Sequence, residues 1–120
     1  MFEICDEIRG PEGVGWLGWT QHSVDGVVVV RLAGDLDLST ASQFGWQLRE
    51  LSDAAIVLDL SGVAFIDAHC TGLIMRARDT AHARGHELRV TGLHGIPARV
   101  FDMLGLAATL VEDARLERAS

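Results

Sequence analysis

Lysine, asparagine and tyrosine are absent from this chain of 120 residues, so all ten of its basic side chains are arginine. The missing lysine excludes any lysine-dependent mechanism, including the phosphate loop whose lysine reaches the nucleotide's phosphates. Cysteine is scarce: Cys5 and Cys70 stand alone, with no C-x-x-C pair, which fits a reducing cytoplasm better than a disulfide framework. The acidic start MFEICDEIRG lacks the basic and apolar regions of a secretory signal. No apolar run approaches the ~20 residues that span a bilayer. The formal net charge is −7, and no basic stripe is present, so a nucleic-acid backbone would be repelled. These absences together describe a cytoplasmic protein with no membrane insertion and no nucleic-acid partner.

What remains is ordinary for a globular chain: 48% apolar and 22% charged residues, enough for one modest core. Residues 1–14, with Gly10-Pro11-Glu12-Gly13, read as a flexible N-terminal tail, and residues 15–120 as the domain. Residues 16–21 suggest an edge strand. Asp25-Gly26 signals a tight hairpin into a β-branched strand at 27–32. Thr40-x-x-Gln43 has the form of a capping box, and Ala41, Phe44, Leu48 and Leu51 follow at helical spacing. Gly85 suits a helix C-cap, residues 87–91 form the next strand, and Pro97 fits the first turn of a helix at 96–104. A short strand at 108–111 and a frayed helix at 113–119 complete the order β-β-α-β-α-β-α-β-α. The fold class is α/β: a single domain with a mixed β-sheet, an initial hairpin and four helices. No internal repeat or low-complexity segment interrupts it.

The most informative stretch is VLDLSGVAFIDAHCTGL, residues 57–73. Residues 55–60 read as a short buried strand, which Ser61-Gly62 breaks; Phe65-Ile66 is a second apolar step and Asp67 closes the loop. Beyond Cys70 and Thr71 the apolar spacing becomes helical through Leu73, Ile74, Ala77 and Ala81. Asp67, His69, Cys70 and Thr71 thus gather at a helix N-terminus, where backbone N–H groups lack partners and the helix dipole is positive.

DLSGVAFID resembles the strand and loop of the STAS-domain family, the anti-sigma factor antagonists. Gly34-Asp35-Leu36-Asp37 resembles that family's Gly-Glu-Leu-Asp loop, and Phe101-Asp102-Met103-Leu104-Gly105-Leu106 its third-helix ending. The resemblance covers roughly residues 16–118. In the family the Asp is followed by Ser-(Ser or Thr)-Gly-Leu, whose second hydroxyl residue is phosphorylated. Here Asp67 is followed by Ala68-His69-Cys70-Thr71-Gly72-Leu73. An inserted alignment makes Thr71 the phosphoacceptor candidate; an ungapped one puts His69 in its place. Gly85 and Gly105 keep the family's distances from Asp67 without an insertion, which favours His69.

The resemblance implies a regulator rather than an enzyme, with no cofactor. Its partner would be an anti-sigma factor that is itself a Ser/Thr kinase, contacted through Asp35, Asp37, Asp67, His69, Cys70 and Thr71. The same aspartates read equally as helix caps. A STAS accessory subunit of a transporter or signalling assembly is an alternative, and so is a redox sensor using Cys70, whose thiol at a helix N-terminus invites a lowered pKa. His82 and His86, four apart, would share a helix face, but Gly85 intervenes and no third ligand is evident, so no metal is expected. Trp16, Trp19 and Trp46 read as core and edge-covering side chains.

Overall fold

A computed structural model describes residues 3–9, 15–51 and 53–106 of the chain. In chain order these form β1 (Glu3–Arg9), β2 (Trp16–Val24), β3 (Val27–Leu36), α1 (Leu38–Glu50), β4 (Ala55–Ile66), α2 (Ala68–Ala83), β5 (Leu88–Thr91) and α3 (Gly95–Met103). The sheet order is β1-β2-β3-β4-β5. The first three strands run antiparallel, and β3, β4 and β5 run parallel. The strand and helix expected at 108–111 and 113–119 lie outside the described residues.

Local chemistry accounts for the hairpin. Asp25 and Gly26 both have positive φ, 51° and 80°, the pair required by the two-residue turn that matches strand twist. Val24 and Val27 close the ladder beside it. The parallel half follows from handedness. β3-α1-β4 and β4-α2-β5 step across the sheet in one direction, so two right-handed crossovers put α1 and α2 side by side on one face. Phe44 and Leu48 of α1, Ile74 of α2 and Phe101 of α3 join Leu58, Leu60 and Val90 of the sheet in one buried cluster. Trp19 meets Phe44 edge to face, with ring centroids 6.3 Å apart, and its indole N–H donates to Gln21 Oε1 at 2.8 Å.

Four expectations need correction. Residues 3–9 belong to the sheet: β1 pairs with β2, Ile8 opposite Leu17, and Ile8 is 2% exposed. The Gly10-Pro11-Glu12-Gly13 stretch made this segment look like a tail; its charged residues suit an edge strand, where they guard against edge-to-edge pairing. Second, β4 does not stop at Ser61-Gly62. Its inward residues change spacing from Leu58 and Leu60 to Val63 and Ile66, and the register against β3 slips twice. Each slip inserts one extra residue into β4, a bulge that lets the strand continue to Ile66.

The capping box of α1 also starts three residues earlier than Thr40-x-x-Gln43 suggests. Asp37 is the N-cap and Thr40 its N3 partner. Thr40 is buried, and its hydroxyl donates to the Asp35 carbonyl at 3.0 Å. Finally, Trp46 is half exposed on α1 and takes no part in the core. Trp16 instead lies over Gly34, where a Cβ would collide with the Trp16 carbonyl oxygen and φ is +113°.

The placement of β1 yields a direct contrast. Ile8→Ala should lower the unfolding free energy by roughly 2–4 kcal/mol, as expected for truncating a buried aliphatic side chain. Ile4→Ala, at a 42% exposed position on the same strand, should change it by only about 0.5 kcal/mol. Urea denaturation of both variants measures this, and equal effects would mean that β1 is not docked as described.

Candidate functional site

The carboxyl ends of β3 and β4 deliver two helix starts side by side. Asp35 lies opposite Phe65 and Leu36 opposite Ile66 in the parallel register. The Asp67 N–H then donates to the Leu36 carbonyl at 3.0 Å, so the strand ends stay tied where the helices begin. Each helix opens on an aspartate. Asp37 Oδ1 accepts from the Ser39 backbone N–H at 2.9 Å and from the Ser39 hydroxyl. Asp67 Oδ1 accepts from the Cys70 N–H at 2.8 Å. Both carboxylates are therefore caps, worth about 1 kcal/mol each to their helices. Both also remain half exposed, as does Asp35, which caps neither helix.

The six candidate residues divide by exposure. Asp35, Asp37 and Asp67 line this end of the sheet, and His69 stands exposed one position into α2 from Ala68. Cys70 and Thr71 turn inward, at 0% and 1% exposure. The Thr71 hydroxyl donates to the Asp67 carbonyl at 2.9 Å, and Cys70 Sγ lies 3.6 Å from the Asp37 carbonyl oxygen. Cys70 thus bridges the two helix starts from beneath. Its thiol is pushed up to about 12, first by burial and then by the negative charges of Asp67 and Asp37 and a hydrogen bond to Asp67. A helix N-terminus alone would lower that value. Here the two capping carboxylates occupy it, which removes the basis for a reactive thiol.

Two surface residues were not legible as such in the sequence. Leu38 is 76% exposed at the first position of α1, and Phe65 is 41% exposed beside Asp35. Leu38 lies three residues before Ala41 and by spacing alone falls on the buried stripe; no sequence signal separates it from the core. The exposed end therefore combines carboxylates with apolar contact area. It presents His69 and the first-turn N–H groups of α2 that no intrahelical carbonyl can reach. His82 and His86, by contrast, are separated by the end of α2 at Arg84, with Gly85 at φ +83°. His86 instead faces Asp53, 3.6 Å away. Among the described residues no cluster of three or more His, Cys, Asp or Glu side chains could hold a metal, and no helix is long and apolar enough to cross a membrane.

These features define an α/β domain with a five-stranded mixed sheet and, at one end, the paired N-termini of its two crossover helices as the candidate site. The chain belongs to the STAS family: the family model described as Mlab, STAS domain matches residues 19–112. It is 32% identical over 85 residues to the anti-sigma F factor antagonist of Paenibacillus polymyxa, covering 68% of this chain and 73% of that protein. An anti-sigma factor antagonist from Mycobacterium paratuberculosis shares the fold with a TM-score of 0.73 at 19% identity, covering 90% of this chain and 93% of that one. A sulfate transporter family protein from Wolinella succinogenes does so with a TM-score of 0.60 at 17% identity, covering 74% and 75%. At such identities the structural likenesses establish the fold alone.

The state of Cys70 can be read in solution. At pH 8 iodoacetamide should modify exposed Cys5 in the folded protein and leave Cys70 untouched, with both labelled once urea unfolds the chain. The raised pKa also carries a stability signature. The folded state holds the Cys70 proton where the unfolded state has lost it, so stability should fall as pH rises from the ordinary thiol range towards about 12. A Cys70→Ala variant should lose that part of the alkaline slope; an unchanged slope would contradict the assignment.

Proposed function

We propose that this chain is an anti-sigma factor antagonist that works by binding an anti-sigma factor in the cytoplasm and performs no catalysis. The observation that carries the reading is the exposed end of β3 and β4, where Asp35, Asp37, Asp67 and His69 stand beside Leu38 and Phe65 on a rigid scaffold. Carboxylates held by caps lose little freedom on binding, and their remaining lone pairs can accept a partner's arginine or lysine donors. Exposed Leu38 and Phe65 add apolar area that desolvates those polar contacts. The Paenibacillus polymyxa relative, an anti-sigma F factor antagonist by name, supports the same reading.

We further propose that the partner is a Ser/Thr kinase and that His69 occupies the position its relatives phosphorylate. Phosphoryl transfer needs a nucleophilic hydroxyl in line with the γ-phosphate, and a Ser/Thr kinase has no use for an imidazole there. Thr71 is a poor substitute, since its hydroxyl is buried and engaged with the Asp67 carbonyl. A phosphoryl group at residue 69 would bring about −1.5 to −2 charges beside Asp37 and Asp67, the repulsion that would release a partner. Without it the antagonist stays in its binding state. An accessory role in a transporter or signalling assembly is the second reading, which the sulfate transporter family likeness makes worth testing.

Affinity purification from the source cells should recover an anti-sigma factor with the parent protein; recovery of a transporter instead would favour the second reading. Leu38→Glu should weaken capture by at least about tenfold, the usual loss at a central contact. It should leave the melting temperature unchanged or slightly raised, because an acidic residue suits a helix's first turn. With the purified kinase and ATP, the parent should take up no phosphate, whereas His69→Ser, with Cys70 kept in its buried place, should become a substrate. Phosphorylation of the parent that Thr71→Ala abolishes would overturn the role given to His69.

A further inference from the structure

A second surface, of opposite charge, lies between the two crossover helices. α1 and α2 leave a groove of about 520 Å³ between their middle and C-terminal turns. Leu48 of α1 and Leu73 of α2 form its apolar floor. Gly45 lies against Leu73 there: a Cβ at that position would stand 3.4 Å from the Leu73 methyl carbons, in ordinary contact. Arg49 on one wall, with Arg76 and Arg84 on the other, give the rim its guanidinium groups, and Asp79 is its one carboxylate. Asp79 is itself held by Arg78 at 3.4 Å. Among the described residues neither Arg49 nor Arg76 has an ion-pair partner, and both are exposed.

This concentration of arginine is unexpected on a chain of net charge −7. At roughly 1.5 Å of rise per residue, Arg76 lies about 10 Å and Arg84 about 22 Å along α2 from His69, so the arginines are set back from the acidic end of the domain. We propose that the groove binds an acidic amphipathic helix of a second protein, one that sets an aliphatic side chain on Leu48 and Leu73 and carboxylates against Arg49, Arg76 and Arg84. The chemistry selects this occupant over other anions. A nucleic acid or an anionic bilayer presents extended negative charge that the rest of the surface repels, and a flat bilayer cannot reach a recessed floor. A helix of apolar anchors flanked by glutamates fits a groove of this shape and matches the guanidinium fork with carboxylates. The two surfaces, acidic and basic, would let one small domain hold two different proteins at once.

Fluorescence anisotropy tests this with a labelled helical peptide carrying leucines along one face and glutamates beside them. The full chain should bind it in a salt-sensitive way, and a scrambled peptide of the same composition should bind at least about tenfold more weakly. Arg49→Glu with Arg76→Glu should reduce affinity by at least about tenfold without moving the melting temperature, and the gentler Arg49→Gln with Arg76→Gln should fall between. Capture of the anti-sigma factor should be unaffected by either pair. No measurable binding at low millimolar protein overturns the proposal, as does equal binding of a lysine-for-glutamate peptide or indifference to both arginine pairs. Phosphatidylglycerol vesicles or single-stranded DNA displacing the peptide would assign the groove to another class of ligand. Self-association in sedimentation that the charge reversal abolishes would assign it to a second copy of this chain.

Discussion

Parallel pairing of β3 with β4, carried past two bulges to the Asp67–Leu36 hydrogen bond, is the constraint on which the rest of the domain depends. If β4 ended where its regular alternation ends, Asp67 would not reach the end of β3. α2 would then begin a different distance from α1. The bulges add residues without breaking the sheet, and the close approach of Gly62 to the Leu32 carbonyl, 2.9 Å from where a Cβ would stand, permits the first of them. A side chain there would press β4 off its neighbour. Strand register and the relative position of the helix starts are therefore one property.

Bringing two helix N-termini together has an electrostatic cost that the caps offset. Two positive dipole ends lie side by side with unsatisfied N–H groups. Asp37 and Asp67 neutralise both, and Cys70 underneath ties the turns through its contact with the Asp37 carbonyl. That arrangement raises the pKa of a cysteine beside a helix start, because burial and the carboxylates of Asp67 and Asp37 disfavour the thiolate. It also leaves the outward side of each aspartate open. The same residues can therefore hold the helices and face a partner, and capping and recognition need not be alternatives.

The helix pair shapes both ends of the molecule. At their N-termini the crossovers expose acid and apolar groups; further along, the groove between them is rimmed by arginine. A small domain can separate charge in this way because α1 and α2 share one face of the sheet. Side chains on the adjoining walls then converge, while the caps stay at the strand ends. Net charge alone would have suggested a uniformly acidic surface.

Where local chemistry dominates, the sequence by itself determined the outcome. Asp25-Gly26 made the turn, the stripe from Ala41 to Leu48 made a helix, Pro97 fell in the first turn of α3, and the motif around Asp67 pointed to the STAS family. Each depends on backbone preferences or apolar spacing within a few residues. Tertiary structure decided what depends on distant partners: that Glu3–Arg9 is a strand and that β4 passes through Ser61-Gly62. It also decided which members of the candidate site face outward. His69, Cys70 and Thr71 are consecutive in the chain, yet a helix turns each by about 100°, and the position of the sheet alone sends His69 to solvent and Cys70 and Thr71 into the core.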